Sequence, residues 1–123
     1  MKFQLQKRTK KFAIDVINLS NLLPNKSIGW TLTNQIIRSA TSVGANYRAV
    51  CRAKSDKDFI SKMETVIEEA DETLFWLEII EELKVILNKE TEITRLLKEA
   101  DELVAIFVSS VKTVKKRLNK IKK

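Results

Sequence analysis

Apolar residues recur along this chain at steps of three and four, the spacing that lines one face of an α-helix. They do so in four stretches separated by short polar breaks. The first, about residues 2–23, places Leu5, Phe12, Val16, Leu19 and Leu23 on one face with Ala13 and Ile17 beside them, and Pro24 stops it. Ser27 is suited to cap a second helix over about residues 28–53, where Ile36, Ala40, Val43, Tyr47, Val50 and Cys51 form the inward stripe. A third helix is predicted over about residues 56–87. Ser55 stands three residues before Asp58, so its hydroxyl can accept from a free backbone N–H while the carboxylate sits in the positive first turn. The inward seam of this helix reads Ile60, Met63, Ile67, Ala70, Leu74 and Leu77, in coiled-coil steps. The fourth helix, about residues 90–119, carries Ile93, Leu96, Ala100, Leu103, Phe107, Val111 and Val114. Four long helices on short connections most readily alternate in direction. The predicted fold class is therefore all-α, an antiparallel up-down-up-down four-helix bundle forming a single domain.

The second helix contains a run of small residues, Ser39-Ala40-Thr41-Ser42-Val43-Gly44-Ala45, that would let a neighbouring backbone come close. A glycine inside a helix costs about 1 kcal/mol relative to alanine. Gly44 is therefore expected where a β-carbon would collide with a packed partner, the competing reading being a helix break there. Tyr47 is expected to pack in the core with its hydroxyl at the edge, and Asn46 to make a cross-helix hydrogen bond.

Helices three and four carry more apolar surface than one bundle core needs. The surplus, Phe75, Trp76, Ile79, Leu97, Val104 and Val108, predicts self-association, because contiguous apolar area is rarely left in water by a monomer. Charge is equally uneven. Residues 1–63 hold 12 basic and 3 acidic side chains, residues 64–102 hold 4 and 13, and residues 103–123 hold 7 and none. Basic and acidic surface thus fall on different helices, which suits a nucleic-acid partner, an interface between unlike faces, or both.

Within the basic segments, Arg38, Arg48 and Arg52 share a sector of roughly 80° on helix two at about 100° per residue, and Lys54 continues the charge around the turn. Lys112, Lys115, Lys116, Arg117 and Lys120 load the end of helix four. These nine residues are the candidate RNA- or DNA-binding set. The competing reading pairs Arg38 and Arg48 with the acidic third helix, and gives less weight to such pairing for the tail, which has no acidic neighbours in sequence.

Catalytic chemistry finds little footing. The chain has no histidine, and its one cysteine, Cys51, lies on the apolar stripe, where a small buried hydrophobe is expected despite Arg48 and Arg52 nearby. Without histidine the Glu-x-x-His metal pairs of diiron bundles cannot form, so Glu64, Glu68, Glu72, Glu78, Glu81 and Glu82 read as a solvated or interface-facing acidic stripe. No catalytic residue, cofactor, metal or small-molecule substrate is expected. Absence of a membrane span, a signal peptide or a possible internal disulfide points to a soluble cytoplasmic protein.

The segment RSATSVGANYRAVCRAKSDKDF, residues 38–59, resembles the central signature of the four-helix bundle protein family, also called the 23S rRNA intervening-sequence protein family. The likeness extends to Phe12-Ala13, Leu23-Pro24, Glu72-Thr73, Phe75-Trp76-Leu77-Glu78 and Glu99 to Leu103. Departures are small: Val43 stands where isoleucine is usual, Ala49-Val50 where a glutamate then alanine is common, and Phe75 where tyrosine is common. Ala49 removes one negative charge beside Arg48 and Arg52. The resemblance implies a ring-like homopentamer, and a non-enzymatic role in binding nucleic acid, since related bundles serve as accessory factors for reverse transcriptases. A structural adaptor whose ring binds another protein is the alternative.

Overall fold

The computed structural model describes residues 2–122, and the described residues form four helices and no strand: α1 Lys2–Ser20, α2 Ser27–Val50, α3 Asp56–Leu83 and α4 Glu90–Lys122. Cross-helix contacts fix their directions. Gly44 on α2 faces Thr9 on α1, and Arg38 on α2 reaches Glu69 and Glu72 on α3. Arg117 near the end of α4 meets Asp56 at the start of α3, and Arg8 and Arg95 tie α1 to α4 through Glu99 and Asp15. Each helix runs opposite to its neighbours, and the stacked rings of Tyr47 and Phe107, 5.7 Å apart, span the core between α2 and α4.

The core follows the three-and-four spacing on every helix. Phe12, Val16, Leu32, Ile36, Val43, Met63, Leu77, Leu96, Leu103 and Phe107 are fully buried in one continuous cluster. On α3 the stripe is turned from the expected seam. Met63, Ala70 and Leu77 face inward as expected, but the alternate positions are Val66, Thr73 and Ile80, while Ile60, Ile67 and Leu74 sit half-buried at the edge. A polar residue occupies the middle of that stripe because it has a partner. The Thr73 hydroxyl lies 2.8 Å from the Glu69 carbonyl of its own helix and 2.9 Å from Ser39 Oγ, and Ser39 donates to the Ile36 carbonyl at 3.3 Å, so neither buried hydroxyl is orphaned.

Five boundaries differ from the sequence reading: α2 ends at Val50 and not at 53, α4 runs on to Lys122 and not to 119, and the other three have a local reason. Helix α1 ends at Ser20, and the next residues close successive tight turns, Leu22 N–H to Leu19 and Leu23 N–H to Ser20. Helix α2 is entered through Lys26 in an extended conformation, with Ser27 already helical and no side-chain cap. Helix α3 stops at Leu83 because Lys84 adopts a left-handed conformation (φ 53°), which turns Ile86 back under the core and leaves Leu87 77% exposed. The cap at the other end of α3 is as expected, Asp58 N–H donating to Ser55 Oγ at 3.0 Å.

Gly44 corrects its expected role. The helix runs through it unbroken, and a β-carbon there would meet the Thr9 backbone at 3.6 Å, an ordinary contact and not a collision. The glycine that close approach requires is Gly29, where a β-carbon would stand 1.7 Å from the Pro24 carbonyl oxygen.

Candidate nucleic-acid interface

Antiparallel order turns the uneven charge of the sequence into a polarity of the whole particle. The start of α1, the end of α2, the start of α3 and the end of α4 meet at one end, where Lys2 Nζ lies 3.4 Å from the Cys51 carbonyl and Arg117 reaches Asp56 at 2.8 Å. Arg48, Arg52, Lys54, Lys57, Lys112, Lys115, Lys116, Arg117 and Lys120 all belong to this end and all are exposed. Helix α4, 33 residues and so about 50 Å long at 1.5 Å per residue, continues for about a turn beyond the Arg117–Asp56 contact and carries Lys120 past the start of α3. At the opposite end Glu78, Glu81, Glu82 and Glu90 are exposed on α3 and α4.

The nine candidate cations divide into three kinds. Among the described residues, Arg48, Arg52, Lys112, Lys116 and Lys120 have no carboxylate within salt-bridge distance, and the Lys54 side chain has none either, although its backbone N–H donates to Asp58 at 3.0 Å. Arg117 and Lys115 do find carboxylates on α3, Arg117 at 2.8 Å from Asp56 and Lys115 at 3.8 Å from Glu64. The tail therefore is paired in part, which sequence neighbours alone did not indicate. The Arg117 hydrogen bond holds the Asp56 carboxyl below its ordinary range.

Arg38 stands apart from the rest. It is bound by Glu72 and Glu69, and the hydrogen bond from Arg38, aided by the Trp76 indole N–H at 3.1 Å, holds the Glu72 carboxyl low. Arg48 instead lines a cleft of about 270 Å³ with Gln6, Lys10, Ala13 and Thr41 on the α1 side of α2. The shared 80° sector straddles the outer ridge of α2, so Arg38 leans to α3 and Arg48 to α1. The expected three-arginine patch is not one surface, whereas Lys10, which the sequence reading passed over, joins Arg48.

The surplus apolar residues are likewise not one patch. Phe75 is 50% exposed and edge-on to Trp76, with ring centroids 5.1 Å apart. Trp76, Ile79, Leu97 and Val104 are half-buried against the core, and Val108 lines the α3–α4 groove with Ile67 and Lys112. Other exposed apolar side chains lie outside that set: Phe3, Trp30 (58% exposed, its indole N–H donating to Asn25), Leu83 and Leu87.

Cys51 is half-buried at the end of α2, not sealed in the core. Asn46 bonds within its own helix, Nδ2 to the Ser42 carbonyl at 2.8 Å, in place of the expected cross-helix bond. Tyr47 packs as expected, and burial, with the Cys51 thiol second, pushes its phenol up to about 12. Among the described residues no group of three or more metal-ligating side chains converges, and no helix is long and apolar enough to cross a membrane.

The geometry defines an all-α, four-helix protein with charge separated from end to end. Residues 1–109 match the family described as 23S rRNA-intervening sequence protein, and the chain belongs to that family. It is similar to the crystal structure of a protein with unknown function from the S23 ribosomal protein family of Bacteroides thetaiotaomicron. The TM-score is 0.77 and the identity 31%, and the match covers 87% of this chain and 97% of that one. No curated protein is significantly similar to it.

Proposed function

We propose that this protein is a non-enzymatic, oligomeric binder of RNA or DNA, and that the basic end of the four-helix unit is its nucleic-acid face. The observation that carries the reading is the gathering of Arg48, Arg52, Lys54, Lys112, Lys116 and Lys120 at one end without carboxylate partners among the described residues. Cations held only as internal glue would be paired, as Arg38 is. Six unpaired cations around one end set up the local potential that attracts a polyanion, each phosphate contact releasing counterions.

Exposed apolar surface supports the same reading. Trp30, Phe75, Leu83 and Leu87 keep about half or more of their surface in water, and assembly of copies is the economical way to cover them. A ring of five, implied by the family resemblance, would repeat the basic end five times, so that individually weak phosphate contacts add through multivalency. The adaptor reading keeps one specific support: Arg38, Arg117 and Lys115 already pair with α3, so part of the positive charge serves the fold. Purification from the native cell at low salt, followed by sequencing of whatever nucleic acid is retained, separates the two. A recurrent RNA or DNA population supports the binder, and a protein partner with no nucleic acid supports the adaptor.

A further inference from the structure

Helix α3 turns an exposed ridge of one chemistry to the solvent. Glu68, Asp71, Phe75, Glu78 and Glu82 follow one another at steps of three and four, the spacing of a coiled-coil seam, yet all five are exposed. No basic residue occurs between Glu64 and Leu83, and none of the four carboxylates has a cation within salt-bridge distance among the described residues. In the middle stands Phe75, 50% exposed, with Asp71 one turn before it and Glu78 one turn after. Its ring meets the edge of Trp76 and is otherwise left to water.

The groove between α1 and α2 has the opposite character. Its cleft of about 270 Å³ is lined by the small residues Ala13, Gly44 and Ala45 and bordered by Lys10 and Arg48. Both cations are exposed and lack a carboxylate within salt-bridge distance among the described residues. Helix α2 contains no acidic residue, and α1 has none before Asp15. Packing inside one bundle does not call for the glycine, because a β-carbon on Gly44 would meet Thr9 at an ordinary 3.6 Å. What the small side chains provide is a basic slot open on its outer side.

We propose that the α3 ridge of one copy seats in the α1–α2 groove of a second copy, Phe75 entering beside Ala13, Gly44 and Ala45 while Asp71 and Glu78 meet Lys10 and Arg48. The occupant is a second copy because one chain carries both halves, an acidic ridge with an aromatic knob and a basic groove with small walls. Helices α1 and α3 do not touch within the bundle, so the ridge and the groove look in different directions. The contact joins unlike surfaces, each copy giving a ridge to one neighbour and a groove to another. This deepens the self-association reading, on which it rests, by naming the surfaces that meet. It assigns Arg48 to the interface and leaves Arg52, Lys54, Lys112, Lys116 and Lys120 to a polyanion.

The test is sedimentation of the full chain at micromolar concentration with charge reversed on one face at a time. Lys10→Glu with Arg48→Glu makes the groove acidic, and Asp71→Lys with Glu78→Lys makes the ridge basic. Like charges then oppose each other across the contact, and each paired variant should fall to the 14.2 kDa of one chain. Helical content should be kept, since all four side chains are exposed and unpaired in their own bundle. The chain with all four substitutions should regain the mass of several copies, which a merely misfolded variant would not do. Lys89→Glu with Lys98→Glu makes the same change in net charge away from both faces and should keep the wild-type mass. Wild-type mass in either paired variant, no recovery in the fourfold chain, or loss of mass in the Lys89 and Lys98 control overturns this interface and leaves self-association standing. A wild-type chain that sediments as one copy sinks both.

Discussion

The carbonyl oxygen of Pro24 lies 1.7 Å from the point where a β-carbon on Gly29 would stand. The α1–α2 connection folds down onto the first turn of α2, Lys26 N–H closing on Pro24 at 2.9 Å, and only a residue without a side chain lets it do so. Gly29→Ala must displace backbone, and a cost of about 2–3 kcal/mol is expected, at the upper range for overpacking. Gly44→Ala meets ordinary contact and gains helix propensity, so it should be neutral or stabilising by up to about 1 kcal/mol. Urea denaturation of the two variants checks the contrast, and the opposite order would mean that α1 and α2 pack more tightly at Gly44 than at the turn.

The Ser39–Thr73 pair predicts a coupling inside the core. Thr73→Val keeps the shape and leaves Ser39 donating to Ile36, so it should cost no more than about 1 kcal/mol, whereas Thr73→Ala adds a cavity and should cost more. A double-mutant cycle of Ser39→Ala with Thr73→Val should return an interaction energy of about 0.5–1 kcal/mol. A value of zero would show that the two hydroxyls are satisfied separately, each by its own helix.

Acid should loosen the α1–α4 seam. Burial pulls the Asp15 carboxyl up, but hydrogen bonds from Lys11 and Arg95 outweigh it and leave the group below its ordinary 3.8. A carboxyl whose folded value is depressed contributes stability that is present above its unfolded value and lost as pH falls through the folded one. Stability should therefore hold steady above about pH 5 and decline below about pH 4. Asp15→Asn should remove about 0.2–1 kcal/mol at neutral pH, as partly exposed pairs do, and should flatten part of the acid decline. Chemical denaturation at a series of pH values reads both, and an unchanged slope in the variant would remove Asp15 from the account.

Apolar exposure predicts the state in solution. Sedimentation at micromolar concentration should return a particle several times the 14.2 kDa of one chain. A negative charge placed on the exposed aromatic edge, Phe75→Glu, should reduce that mass while helical content is kept. If the wild-type chain sediments as a single copy, the exposed Trp30, Phe75 and Leu87 are tolerated and need no covering partner.

Much of this architecture is written in local spacing. The three-and-four recurrence located four helices, and Ser55 marked the start of α3 through a cap that depends only on residues three apart. What escaped the sequence depends on residues far apart in the chain. Thr73 looked unfit for a core stripe, but its hydroxyl meets both the Glu69 carbonyl on its own helix and Ser39, 34 positions away, and the inward face runs one residue off the expected seam at alternate positions. Arg38 and Arg48 shared a helical sector, but which neighbour each leans toward follows from the order of α1 and α3 around α2. The left-handed Lys84 that ends α3 carries no side-chain signal at all, since lysine has no special liking for that conformation. The charge blocks were legible, and antiparallel connection is what converted them into two ends.

The most direct test of the central idea, that unpaired cations at one end of the bundle bind phosphate backbones, is the salt dependence of duplex RNA binding in wild type and two variants. Wild-type affinity should fall linearly with salt on logarithmic axes. Arg52→Gln with Lys116→Gln and Lys120→Gln should weaken binding and reduce the slope by up to about three, near one for each phosphate no longer neutralised. Arg38→Gln, in contrast, should leave the slope where it is, because its guanidinium is already engaged by Glu69 and Glu72. Binding that is indifferent to salt, or a slope that changes with Arg38 and not with the end cluster, would contradict the account.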